Sequence, residues 1–169
     1  MKTDRNLRPY AILALAWVAF AAYVWWSCGQ LPARVATHFG ANGTPNGWMT
    51  QAGYLRFTLI FGTAVPAFVL GTFTLIRFLN GWGLNIPNKD YWLAPERREE
   101  TMDFVQRRGV GMTALMLFFL ASVHYSILAA NAQPHANLPP IFFILIGVFL
   151  VATLVWSATL IRHFYRKPA

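Results

Sequence analysis

Four stretches of this chain are long and apolar enough to cross a bilayer, and they leave little sequence for anything else. They run over residues 10–28, 54–78, 109–130 and 138–161, each close to the roughly 20 apolar residues a helix needs to span about 30 Å of hydrocarbon. Hydrocarbon offers no water to backbone N–H and C=O groups, so each run is expected to satisfy its own backbone as a helix. Composition agrees: 56% of residues are apolar and 12% charged, against about 25% charged in a soluble domain. The expected fold is an all-α integral membrane protein with four transmembrane helices. It forms a single membrane domain over 1–169, with no room for a soluble domain beside it.

Each run has its own character. The first carries six alanines (Ala11, Ala14, Ala16, Ala19, Ala21 and Ala22) that permit close helix approach, and it ends at Trp25 and Trp26, residues suited to a headgroup belt. Lys2, Arg5 and Arg8 precede it as in a signal peptide, but the run is too long for that and no small-residue cleavage site follows, so it reads as a retained span. In the second run Pro66 is expected to bend the helix by removing a backbone hydrogen bond. The third carries Ser122, His124, Tyr125 and Ser126 toward its end, and Pro139 and Pro140 open the fourth. Cys28 is the only cysteine, which excludes an internal disulfide and a cysteine-rich metal site.

Charge placement sets an expected orientation. The tails and the second loop with its margins hold twelve of the 14 Lys and Arg residues, including Arg77, Lys89, Arg97, Arg98, Arg107, Arg108, Arg162 and Arg166. The first loop and its margin hold Arg34 and Arg56, and the third loop holds none. By the positive-inside rule both termini and the second loop are cytoplasmic and loops one and three face outward. The basic residues fall in short clusters between apolar runs, so the net charge of +8 reads as a topology signal and argues against nucleic-acid binding. The second loop is irregular over 80–93. It turns helical from Pro95, expected at the first helical position, with acidic residues early and Arg107 and Arg108 late as the helix dipole favours. That helix is expected to run into the third span with a bend at Gly109 and Gly111. It reads as a solvated connector or as a docking helix for a partner or lipid headgroups.

The outward loop, LPARVATHFGANGTPNGWMT over 31–50, is the one long segment that is neither lipid-like nor strongly charged. Val35, Thr37 and Phe39 alternate with Ala36, His38 and Gly40 in a short strand pattern. Asn42-Gly43 and Pro45-Asn46-Gly47 are turn signals, and Thr50 is suited to cap the following helix. A compact loop is expected, of hairpin form, lying on the outer ends of the spans.

This loop with its flanking spans resembles a bacterial membrane-protein domain of unknown function found at the start of SdpI-type immunity proteins. The pattern is Leu-Pro, a histidine followed by an aromatic, then Gly-x-Pro and Gly-aromatic. Here it falls on Leu31, Pro32, His38, Phe39, Gly43, Pro45, Gly47 and Trp48, and the resemblance covers about 12–65. The tract over 85–101 is similar to the segment that follows in short members. The resemblance implies a multi-pass protein of the bacterial plasma (inner) membrane and, from the best understood relatives, protection against a secreted toxin. The chain lacks the further spans of full-length immunity proteins.

Candidate chemistry rests on histidines. All six acids (Asp4, Asp90, Glu96, Glu99, Glu100 and Asp103) fall on the cytoplasmic side of the expected topology, so an outward general acid or base has to be an imidazole. His38, His124 and His135 all fall outward. Their convergence would make a zinc or copper site or a pH sensor, but no local metal-ligand spacing accompanies them. As structural groups, His38 and His124 would instead pin the loop to the bundle and His135 would be solvated. Ser122 and Ser126 beside His124 lack an acid to orient the base. The expected function is therefore non-enzymatic: an immunity-like or partner-binding membrane protein using loop 31–50, with a peptide toxin or membrane protein as partner and no cofactor. The alternatives are a membrane enzyme or a metal-binding or pH-sensing protein using the outward histidines, and a small transporter subunit.

Overall fold

The computed structural model describes residues 7–166. The expectations placed on Lys2, Asp4, Arg5 and Lys167 lie outside the described residues. In chain order the elements are α1 (Arg8–Cys28), β1 (Arg34–Phe39), β2 (Pro45–Thr50), α2 (Gln51–Phe78), α3 (Lys89–Trp92), α4 (Arg98–Asn131) and α5 (Ile141–Tyr165). The four long helices are each apolar and long enough to cross a membrane, which defines a multi-span membrane protein with a small antiparallel hairpin, β1–β2, at one end.

Helices α1, α2 and α4 pack together as the core, and α5 lies on the outside, chiefly against α4. Between apolar helices in lipid, association relies on close packing and hydrogen bonds. Two glycines supply the closeness. A methyl group on Gly62 of α2 would sit 2.3 Å from the Phe20 ring of α1, and one on Gly109 of α4 would sit 2.4 Å from the Phe73 ring of α2. Around these seams Leu13, Phe20 and Val24 of α1 join Val110, Leu117 and Ile127 of α4, with Val35 of the hairpin closing one end. Helix α5 is held by reciprocal bonds, Arg108 Nη2 to the Trp156 carbonyl (2.7 Å) and Trp156 Nε1 to the Arg108 carbonyl (3.1 Å), and by stacking of Phe119 on Phe149. None of its most apolar stretch is buried by protein.

The element boundaries differ from expectation where side chains and loop contacts intervene. Helix α2 begins at Gln51 because the Thr50 hydroxyl caps it, accepting from the Gly53 N–H at 3.1 Å, so strand runs straight into helix. Pro66 is accommodated inside α2, which continues from Gln51 to Phe78 as one helix. Helix α4 starts after Pro95, which lies in a turn, and passes Gly109 and Gly111 unbroken; Gly109 serves the packing of Phe73. Helix α5 starts at Ile141 because the Leu138 N–H bonds to the carbonyl of Gly43 in the hairpin turn (2.9 Å).

At the end opposite the hairpin, the α2–α4 connection folds back onto α5. Trp92 Nε1 and Asn88 Nδ2 both donate to the Phe164 carbonyl, at 2.9 and 3.0 Å, and Thr101 donates to the Trp92 carbonyl (2.8 Å). Arg77 and Asp103 form an ion pair there, and Arg97 lies over the Tyr91 ring.

Candidate functional site beneath the hairpin

The hairpin is built by the residues that carry the loop motif. Leu31 is buried in the core. Pro32 lies just before β1, and Pro45 pairs with Phe39, itself packed against the core. Gly43 adopts φ 78° in the turn, a conformation glycine takes without penalty. Gly47 faces His38, and a methyl group there would approach the His38 Cβ to 2.9 Å. Trp48 is exposed and lies under the Arg34 guanidinium at 4.9 Å. Most of the motif thus specifies how the loop folds.

What fastens the hairpin to the helices is a residue outside the motif. Asn131, the last residue of α4, donates through Nδ2 to the Ala36 carbonyl (2.9 Å) and accepts from the Ala36 N–H through Oδ1 (2.8 Å). One side-chain amide thereby satisfies both the N–H and the carbonyl of Ala36 as a neighbouring strand would. Gln51 adds a bond from Nε2 to the Leu31 carbonyl (2.6 Å). His38 does not join this attachment, because its Nδ1 pairs with Asn46 Oδ1 inside the hairpin.

Below the hairpin, His124 is buried among α1, α2 and α4 at 1% exposure. Its Nε2 lies 2.7 Å from Ser27 Oγ and its Nδ1 lies 2.8 Å from the Tyr54 hydroxyl. Ser27 Oγ already donates to the Tyr23 carbonyl at 2.6 Å. A hydroxyl has one proton, so Ser27 accepts from His124 Nε2–H, and the Nδ1 lone pair of the neutral ring accepts from Tyr54. The chain of donors runs Tyr54, His124, Ser27, Tyr23 carbonyl, tying three helices together. Tyr23 also packs edge-on to the imidazole, ring centroids 5.1 Å apart.

Between this network and the hairpin lies a cavity of about 290 Å³. Thr37, His38 and Met49 of the hairpin roof it, and Phe20, Phe57, Phe61, Leu120 and Ile127 are among the apolar residues lining its walls, with Tyr54 and His124 at its side. Two of the three histidines expected to face outward therefore meet at one cavity. His135 lies in the α4–α5 connection, exposed, and is not among the residues lining it. Both nitrogens of His124 are engaged, and among the described residues no group of three or more His, Cys, Asp or Glu is placed to hold a metal. Ser122 and Ser126 donate to carbonyls of their own helix, Phe118 and Ser122. The partners of His124 are instead Ser27 and Tyr54, from the first two spans. Sequence reasoning missed both, along with Asn131; the only signal was a polar residue at the end of each apolar run.

The fold and site define a multi-span helical membrane protein with a hairpin-roofed cavity. Within it, residues 11–62, covering most of α1, the hairpin and the first part of α2, match the family model of a domain of unknown function, DUF1648. No curated protein and no solved structure matches the chain.

Proposed function

We propose that the protein is a non-enzymatic recognition module whose hairpin end receives an apolar group of a peptide or membrane-protein partner. In this reading it sits in the bacterial plasma membrane with both termini cytoplasmic, and its role is immunity-like, directed at a secreted peptide. The cavity beneath the hairpin is the observation that carries the reading. Its walls are aromatic and aliphatic. Two polar groups at its side, His124 and Tyr54, bond to each other and His124 to Ser27, so the interior favours an apolar guest. Exposed His38, Trp48 and Arg34 surround the roof and offer polar, aromatic and cationic contacts to the rest of a partner. All acids of the chain lie at positions 4, 90, 96, 99, 100 and 103, away from this end in sequence, which favours a partner that is neutral or acidic.

The test is survival of a deletion strain exposed to secreted peptide toxins, complemented with the native chain or with Leu120→Trp, which fills the cavity. The native chain is expected to restore survival and the filled variant to fail at equal membrane abundance. Equal protection by both, or no change on deletion, would remove the basis of the reading.

A further inference from the structure

At the end opposite the hairpin, a separate pocket opens beside the last turns of α5. It is lined by Trp92, Thr159, Arg162, His163 and Arg166. We infer that this pocket binds a phosphate group, as the headgroup of an anionic phospholipid. Four arginines at this end are already engaged. Arg77 is paired with Asp103, Arg97 and Arg98 donate to the carbonyls of Tyr91 and Leu93, and Arg108 is bonded to Trp156 and Thr159. Arg162, in the last turn of α5, and Arg166, its extended C-cap residue, have no side-chain partner among the described residues and both line the pocket. Two guanidinium groups in the lining of one pocket suit the oxygens of a phosphate, which Arg engages bidentately.

A helix C-terminus ordinarily repels an anion through its unsatisfied carbonyls. Here the Phe164 carbonyl takes two donors, from Trp92 and Asn88, which blunts that repulsion beside the pocket. The imidazole of His163 lies between the rings of Phe104 and Trp92, centroids 3.8 and 4.8 Å away, so its orientation is fixed at the pocket wall. No acid lines the pocket, although the exposed Glu100 lies within electrostatic reach of His163. Helix α5 is apolar up to this point, which puts the pocket where a membrane-spanning helix meets headgroups and its apolar flank where acyl chains lie.

The test uses the full chain released in detergent and titrated with phosphatidylglycerol or phosphatidylcholine, with bound lipid counted by native mass spectrometry. Phosphatidylglycerol is expected to bind more tightly, and the Arg162→Gln/Arg166→Gln variant to lose about 10- to 30-fold in that affinity. Arg107→Gln, an exposed arginine of the neighbouring α4 outside the pocket lining, is expected to change little. The Arg162→Lys/Arg166→Lys variant keeps the charge and is expected to fall between, which also reports that the substituted chain is folded. Equal binding of the two lipids, or an equal loss in Arg107→Gln, would overturn the assignment. Inorganic phosphate at millimolar concentration is expected to leave the lipid bound; displacement would assign the pocket to free phosphate and overturn the lipid headgroup.

Discussion

At the scale of single residues, His124 carries the clearest consequence. Replacing it with Phe keeps the bulk but leaves the Tyr54 hydroxyl without its acceptor and Ser27 Oγ without its donor. Ser27 Oγ keeps its bond to the Tyr23 carbonyl, so the loss is of two hydrogen bonds at about 0.5–1.5 kcal/mol each, and His124→Phe is expected to lower the unfolding midpoint in detergent. Tyr54→Phe removes one of these bonds and leaves the buried Nδ1 of His124 without its donor, and is expected to lower it as well. Equal midpoints for His124→Phe and the native chain would contradict the network. The tautomer is checkable as well: nitrogen NMR of His124 is expected to show the proton on Nε2, since Ser27 gives its only proton to the Tyr23 carbonyl. A proton on Nδ1 would contradict the donor order.

At the scale of elements, the hairpin is held by Asn131 more than by its own histidine. Asn131→Ala strips the Ala36 N–H and carbonyl of partners at about 1–3 kcal/mol per buried group. Faster amide exchange at Ala36 and faster proteolysis of the hairpin in detergent are expected, with little change in the helices. His38→Ala removes a bond confined to the exposed hairpin and is expected to loosen it less; the reverse order would contradict the attachment. These two residues also mark how far the sequence could be read. The hairpin was legible because strand alternation and Asn-Gly and Pro-Asn-Gly turns are local signals. Asn131 was not, because its partner is 95 residues away and nothing local distinguishes it from any asparagine ending an apolar helix. The same distance hid the pairing of Ser27 with His124, whose neighbours in sequence, Ser122 and Ser126, turn to their own helix. Gly109 suggested a bend for a similar reason: only the packed Phe73 reveals it as a contact point.

At the scale of the whole molecule, the bundle rests on glycine seams. Gly62→Val pushes a side chain into Phe20, and Gly109→Val into Phe73; such overpacking costs about 1–3 kcal/mol or more. Both variants are expected to lower the detergent unfolding midpoint, whereas Gly147→Ala, on α5 with open space around it, is expected to be neutral. Four spans were legible from hydropathy alone, but the outlying position of α5 was not, since its sequence is the most apolar of the four and gives no hint of how little protein covers it. The proposed orientation makes its own prediction. A membrane-impermeant maleimide is expected to label Asn42→Cys in intact cells and Glu96→Cys only after lysis; the opposite pattern would invert the topology.

The central claim is that the cavity under the hairpin receives an apolar group of a partner polypeptide. A photoreactive benzoylphenylalanine in place of Phe57, a residue of the cavity wall, tests it most directly in living cells. Irradiation is expected to yield a discrete crosslink to one polypeptide, lost when Leu120→Trp fills the cavity. Crosslinks to lipid alone, or a polypeptide crosslink indifferent to the filling, would contradict the account.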